Sequence, residues 1–447
     1  MVYLSLLGIL LAVALFMFLS FRGIPVTVCA ATLIFLVWLF SLGCPDALSF
    51  DEVVSVFGAG VNNIVSKYLL MFMFSALFGS IITYTGIASA LGRAYERLVS
   101  RAPQKLQKLL AVAFVPFLNA IFVYSGINVF VAVFAVVAVA KDLFKRMDIP
   151  WNLYSLSMVG SATFAAISMP GSASITNLAP IPYTGTTPAP VPVFSIIITV
   201  ELLILGVLYM QFAIKRSERR QEGFFPSGAE IDRTSVYKED QDRAPVFLPL
   251  AIPLMFLPVI LMNLVGLSIV MSLLITDIVV LLVYHRRVTR GQLRDMIVSG
   301  LTTGIGPTMT LGLMTGFVYV LIKAPGFQPV FDLIFHLPIP DFMKIPVMIG
   351  SVGFLLGNYN ATVPAAMEIF GQVFLVNCGV NMGVVHRLTT FSSLMSISPH
   401  NSGLCNSLSV AKLNHRQTYF NYFMIGPVLS VILLISSWIL IGLGITY

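Results

Sequence analysis

Four short clusters of small polar residues interrupt an otherwise apolar chain. They are Ser125-Gly126-Ile127-Asn128, then Gly171-Ser172-Ala173-Ser174-Ile175-Thr176-Asn177, then Asn358-Tyr359-Asn360-Ala361-Thr362, and last Ser398-Pro399-His400-Asn401-Ser402-Gly403. Side chains of Ser, Thr and Asn donate hydrogen bonds without carrying charge. Together with free N–H groups at half-helix N-termini they suit a carboxylate in apolar surroundings. A fixed Arg or Lys would hold the same anion too tightly for release. Glycine lets backbone approach a ligand, and proline breaks a helix so that its end groups become available. Unwound carbonyls also suit Na⁺. The candidate ligands are Ser125, Asn128, Ser172, Ser174, Thr176 and Asn177 from the N-terminal part. From the C-terminal part they are Asn360, Thr362, His400, Asn401 and Ser402.

A plainer account makes these residues packing devices, since small residues let membrane helices approach closely. For any one residue that account is as good. The four clusters together favour ligand binding, because they recur in both halves of the chain beside helix breakers. Glu201, Asp277 and Glu368 fall within apolar runs, and His400 lies in the fourth cluster. Ionisable groups at membrane depth are candidates for carrying a coupling proton. Glu368 and His400 are the preferred pair. Glu201 and Asp277 fit equally well near an interface or beside loop arginines. His386, Arg387, His415 and Arg416 are expected at the surface.

The elements that would position these groups are membrane helices. Of 447 residues 57% are hydrophobic and 10% charged, with mean hydropathy +0.93. A soluble domain carries about 25% charged residues. Apolar runs of spanning length, about 20 residues, recur at Leu4–Ser20, Pro25–Leu42, Leu69–Tyr84, Val191–Ile214, Val246–Leu264, Ser268–Tyr284 and Phe420–Ile445. The first run lacks an A-x-A-like cleavage site and reads as a retained span. Net charge is +7. The cations gather in short loops beside the spans, a membrane-topology pattern rather than a nucleic-acid surface. Basic loops at Arg93–Lys108, Lys141–Arg146, Lys215–Arg243 and His285–Arg294 are expected in the cytoplasm. Cys29, Cys44, Cys378 and Cys405 show neither metal spacing nor a disulfide framework. No Walker A motif, paired metal-ligand motif or H-E-x-x-H is present, so neither an enzyme nor a primary pump is indicated.

A polar stretch divides the chain into a first membrane half (1–214), a linker (215–245) and a second half (246–447). In each half a long apolar segment is followed by an amphipathic stretch, then by two polar interruptions in the same order. Paired order without close identity is the mark of structural repeats in transporters. The region between Leu109 and Val139 is too long for one span and too short for two. A re-entrant hairpin with its tip near Ser125–Asn128 fits, and a second is expected near Asn360. Irregular backbone at that depth is tolerated only against protein or a water-filled cavity. Ten or eleven full spans are expected besides the two hairpins. The fold class is thus all-α and polytopic, with repeats, re-entrant hairpins and broken helices. The function class is a secondary transporter of a small organic anion. An anion channel is the main alternative, although no ring of carbonyls or charges is evident. A membrane-embedded enzyme ranks third.

Two stretches resemble a known family. Met169-Pro170-Gly171-Ser172 through Thr176-Asn177, with Tyr183-Thr184-Gly185-Thr186-Thr187, is similar to a motif of the gluconate permease family. Ser398-Pro399-His400-Asn401-Ser402-Gly403, with Leu413 through Tyr419, resembles a Pro-His-Asn-Gly segment of its short hydroxycarboxylate branch. Here Ser402 precedes Gly403 where that segment has Gly directly after Asn, a difference that bears on substrate rather than fold. The resemblance implies a carboxylate symporter of the ion transporter superfamily, coupled to H⁺ or Na⁺. It implies inverted repeats, re-entrant hairpins, a homodimeric scaffold and elevator-like movement. The expected setting is a bacterial inner membrane. The partners are the organic anion, the coupling cation, lipid and a second copy; nucleic acid, resident metal and cofactor are not expected.

Overall fold

The computed structural model describes residues 1–157, 159–233, 246–371 and 378–447. The end of the expected linker, from 234 to 245, lies outside them. The regular elements among the described residues are all helices. The first part runs α1 (Val2–Phe21), α2 (Val26–Ser41), α3 (Phe50–Tyr84), α4 (Ile87–Arg101), α5 (Gln104–Tyr124) and α6 (Val129–Arg146). A 3₁₀ turn (Trp151–Leu156) and a wide π-type helix (Val159–Ser168) follow. Then come α7 (Ile175–Leu178), α8 (Ile181–Thr184), α9 (Pro192–Arg219) and α10 (Ala229–Arg233). The second part runs α11 (Leu248–Ile260), α12 (Ile269–Tyr284), α13 (Arg290–Thr303), α14 (Ile305–Lys323) and α15 (Gln328–Phe335). It ends with α16 (Asp341–Leu356), α17 (Tyr359–Phe370), α18 (Met382–Ser392), α19 (Ser402–Ala411), α20 (His415–Phe423) and α21 (Leu429–Gly442).

Eight of the described helical segments are long and apolar enough to cross a membrane: Val2–Ser20, Phe50–Tyr84, Gln104–Tyr124, Pro192–Arg219, Leu248–Val265, Ile269–Arg287, Arg290–Lys323 and His415–Gly442. This is fewer than the ten or eleven expected from apolar runs. The difference arises because much apolar sequence is spent on short, broken helices. A stripe of large apolar side chains along α9 (Ile196, Val200, Leu203, Ile204, Leu208 and Phe212) is exposed. Its helical spacing makes one continuous oily face, as hydrocarbon surroundings demand. The chain is a multi-pass membrane protein.

Two long helices organise the interior. Ser49 and Glu52 form a reciprocal cap at the start of α3, satisfying two otherwise orphaned N–H groups. The helix then runs 35 residues, roughly 52 Å at 1.5 Å per residue, longer than a hydrocarbon core of about 30 Å. It packs lengthwise on α13 and α14. A Cβ at Gly60 would lie 2.6 Å from the Gly316 Cα, so the two backbones touch where neither carries a side chain. Small residues permit such close approach between membrane helices.

Helix pairs broken at their tips lie beside this scaffold. The α5–α6 pair folds back at Ser125–Asn128, and the α16–α17 pair at Gly357–Asn358. Both turns fall where the sequence places the hairpin tips. The arms of the first differ from expectation, because α5 begins at Gln104 and α6 continues to Arg146. Their 21 and 18 residues span roughly 31 and 27 Å, absorbing basic segments that the charge pattern places in loops.

Candidate functional site

Each break is held open by side chains that satisfy the severed helix ends. At the first, Gly126 has φ of +100°, a conformation that glycine adopts without strain. Asn128 caps α6, its Oδ1 accepting from the Phe130 N–H at 2.9 Å. Ser75, on α3, accepts from the Asn128 N–H and donates to the Gly126 carbonyl at 2.7 Å. One hydroxyl therefore fastens the tip to the scaffold helix.

At the second break Ser174 Oγ and Thr176 Oγ1 both donate to the Ala166 carbonyl, at 2.6 and 2.8 Å. Asn177 Nδ2 donates to the Ser172 and Pro188 carbonyls, each at 2.8 Å. Ser172 Oγ accepts from the Ser174 N–H at 3.3 Å. Tyr124 and Asn263 donate to the Pro170 and Gly171 carbonyls.

The third and fourth breaks are stitched to each other. Asn358 caps α17 through its Oδ1 and donates through Nδ2 to Ser402 Oγ. The Ser402 N–H donates to the Gly357 carbonyl at 3.0 Å. Asn401 caps α19 by accepting from the Leu404 N–H at 2.8 Å, and its Nδ2 donates to the Ser396 carbonyl. His400 is fully buried, with Nε2 3.2 Å from the Leu355 carbonyl and Nδ1 3.2 Å from Ser398 Oγ. Thr362 Oγ1 donates to the Asn358 carbonyl, and Ser125 Oγ to the Phe122 carbonyl.

A small cavity lies where three of the breaks meet. Ser75, Asn128, Ser174, Tyr359 and Asn360 line it, together with Gly126, Ala173 and apolar neighbours. Of the sequence candidates, Asn128, Ser174 and Asn360 thus share one space. Ser125, Ser172, Thr176, Asn177, Thr362, His400, Asn401 and Ser402 do not line it, and their polar atoms bond the broken backbone. These eight read as builders of the breaks. The reason is general: a severed helix leaves N–H and C=O groups that must be paired at membrane depth.

The charged candidates are redistributed. Glu368 is half-exposed, 3.2 Å from Lys67 Nζ and 2.5 Å from Tyr183 Oη. Glu201 accepts from Ser436 at 2.6 Å. Asp277 is buried, and among the described residues neither carboxyl oxygen has a hydrogen-bond partner. Arg416 is exposed and His415 half-buried, near the expected placement. His386 and Arg387 are not at the surface: both are 0% exposed. They lie on α18, which is buried on every side. An arginine among hydrogen-bonding carbonyls can be buried where a sequence rule alone places it outside.

No family model matches the chain. It is 24% identical over 467 aligned residues to an uncharacterized transporter, YxjC, of Bacillus subtilis (strain 168). The alignment covers 94% of this chain and 95% of that protein. Among the described residues no three His, Cys, Asp or Glu side chains stand close enough to hold a metal ion.

Sequence reasoning passed over Ser75, Asn263 and Ser195, and placed Arg387 at the surface. The first three are single polar residues inside apolar runs, indistinguishable there from packing residues. Arg387 carried a signal, since a charged residue within Val384–Phe391 is costly in any buried helix.

Proposed function

We propose that the chain is a secondary active transporter that imports a small organic anion, a sugar acid or short hydroxycarboxylate, with H⁺ or Na⁺. The observation that carries this reading is the convergence of helix breaks from both halves on one polar cavity. Asn128 and Ser174 come from the first half and Asn360 from the second, with Ser75 beside them. Broken helices meeting between halves are the usual construction of a transporter site. The full-length likeness to a protein named as a transporter supports transport, and the resemblance to gluconate permeases supports the carboxylate.

The halves 1–214 and 246–447 are read as inverted repeats joined by the 215–245 linker. The order of elements supports this: a very long helix segment, a hairpin, a broken helix and a final span occur in each. In an elevator mechanism the hairpins and broken helices would move against α3 and α14, with a second copy completing the scaffold in a bacterial inner membrane. For coupling, Asp277 replaces Glu368 and His400 as the favoured proton carrier. It lies one turn from Leu273 on α12, and a Cβ at Gly126 would meet Leu273 at 3.3 Å. An acid at membrane depth with no partner among the described residues is a candidate for carrying a coupling proton.

Uptake by purified protein in proteoliposomes tests the reading. A panel of radiolabelled sugar acids and hydroxycarboxylates is offered under separate pH and Na⁺ gradients. Saturable accumulation under one gradient is expected. Flux that never saturates, or large unitary currents, would assign the chain to channels instead.

A further inference from the structure

Arg387 is a buried cation with no anionic partner among the described residues. Its Nε donates to Ser195 Oγ at 2.8 Å, and Nη1 to the Ile167 carbonyl at 3.2 Å and to Asn177 Oδ1 at 3.0 Å. These contacts use three of the five N–H donors that a guanidinium carries. Among the described residues Nη2 is buried with no hydrogen-bond partner and no carboxylate pairs with the group. The buried Lys344, by contrast, has Asp341 at 2.9 Å. Placing a charge in a low-dielectric interior without a counter-ion is strongly unfavourable. A neutral side chain could serve the same three acceptors without that cost. The charge itself therefore needs a reason.

Its position supplies one. The guanidinium bonds Ile167 and Asn177, whereas Ala166, Ser174 and Ile175 line the polar cavity. Arg387 thus stands directly behind the wall formed by the second break. Asn177 links the two sides, accepting from Arg387 while donating to the Ser172 and Pro188 carbonyls. In such surroundings an unpaired charge acts on a neighbouring anion with little screening.

We propose that Arg387 is the fixed counter-charge for the carboxylate of the transported anion, acting on it from behind the wall of the second break. This rests on the anion-transport reading above and names the subsite for the charged end of the substrate. One unpaired cation matches one carboxylate. The group also answers the concern that arginine would hold an anion irreversibly, because most of its donors are already engaged by the protein.

The test uses purified full-length wild type, Arg387→Gln and Arg387→Lys, each melted with and without D-gluconate, L-lactate and neutral lactamide. Wild type should be stabilised by a carboxylate and not by the amide. Arg387→Gln, freed of a buried charge, should melt no lower than wild type without ligand. Its affinity for the carboxylate should fall about tenfold to a hundredfold, the loss of a facing charge that acts with little screening. Arg387→Lys keeps the charge but not the fork, and covers the case in which the glutamine variant fails to fold. It should retain preference for carboxylate over amide with weaker binding. Carboxylate binding by either folded variant at wild-type strength would overturn the proposal while leaving anion transport standing. If no carboxylate stabilises wild type, the anion reading itself fails, and this subsite with it.

Discussion

Asn360 and Asn128 are the side chains on which the cavity reading turns. Asn128 is partly engaged in capping α6, whereas Asn360 lines the cavity with its backbone N–H already tied to Asn358. Asn360→Ala should weaken substrate affinity about tenfold to a hundredfold with unchanged protein yield, measured as the KM of uptake. An unaltered KM would remove Asn360 from the site. Asp277 offers a separate prediction. Asp277→Asn keeps size and removes the proton. Accumulation driven by a pH gradient should vanish, while exchange of labelled for unlabelled substrate across the membrane persists. Proton-driven accumulation at the wild-type rate in this variant would exclude Asp277 as the carrier. Sequence singles out both residues by type. It does not rank Asp277 above Glu368, because an apolar run looks the same whether its acid meets Lys67 and Tyr183 or meets no described partner.

At the scale of elements, the contact between α3 and α14 depends on absent side chains. A branched residue at Gly60 would drive into the Gly316 backbone, and overpacking of this kind costs typically 1–3 kcal/mol. Gly60→Val should therefore lower the melting temperature of the purified protein by several degrees, whereas Gly58→Ala, where a Cβ meets nothing within 4 Å, should leave it unchanged. Equal behaviour of the two variants would show that the helices do not rely on this contact. The breaks are legible in the sequence, since Gly, Pro and capping Asn or Ser cluster there. The lengths of the helices that flank them are not. Lys105, Lys108, Lys141 and Lys145 lie within α5 and α6, because a helix end outside hydrocarbon accepts lysine readily.

Across the whole molecule, the basic segments of the first half gather at one end. Lys108 pairs with Glu218 at 3.2 Å, Arg146 with Glu96 at 2.6 Å and Lys145 with Asp232 at 2.7 Å. These are exposed pairs worth little individually. The hydrogen bond from Lys145 holds the Asp232 carboxyl below its usual range, so this tie is present at neutral pH and is lost as pH falls through that lowered value. Basic segments gathered in this way are expected on the cytoplasmic face. A cysteine at Ser100, an exposed position, should resist an impermeant thiol reagent added to intact cells and react once the membrane is opened. Labelling from outside would reverse the orientation.

Sequence by itself determined that this is an all-helical, multi-pass membrane protein and where its helices break. Those properties follow from local causes: apolar length, turn-forming residues and caps act within a few positions of each other. Tertiary structure alone decided which polar groups face a cavity and which are consumed by the breaks. It also moved Arg387 and His386 from the expected surface into the interior, left Asp277 without a partner among the described residues and gave Glu368 two. Pairing of a polar group depends on what distant segments bring to it. Ser195 and Arg387 are separated by 192 positions, and Lys67 and Glu368 by 301. No local pattern encodes contacts at that range.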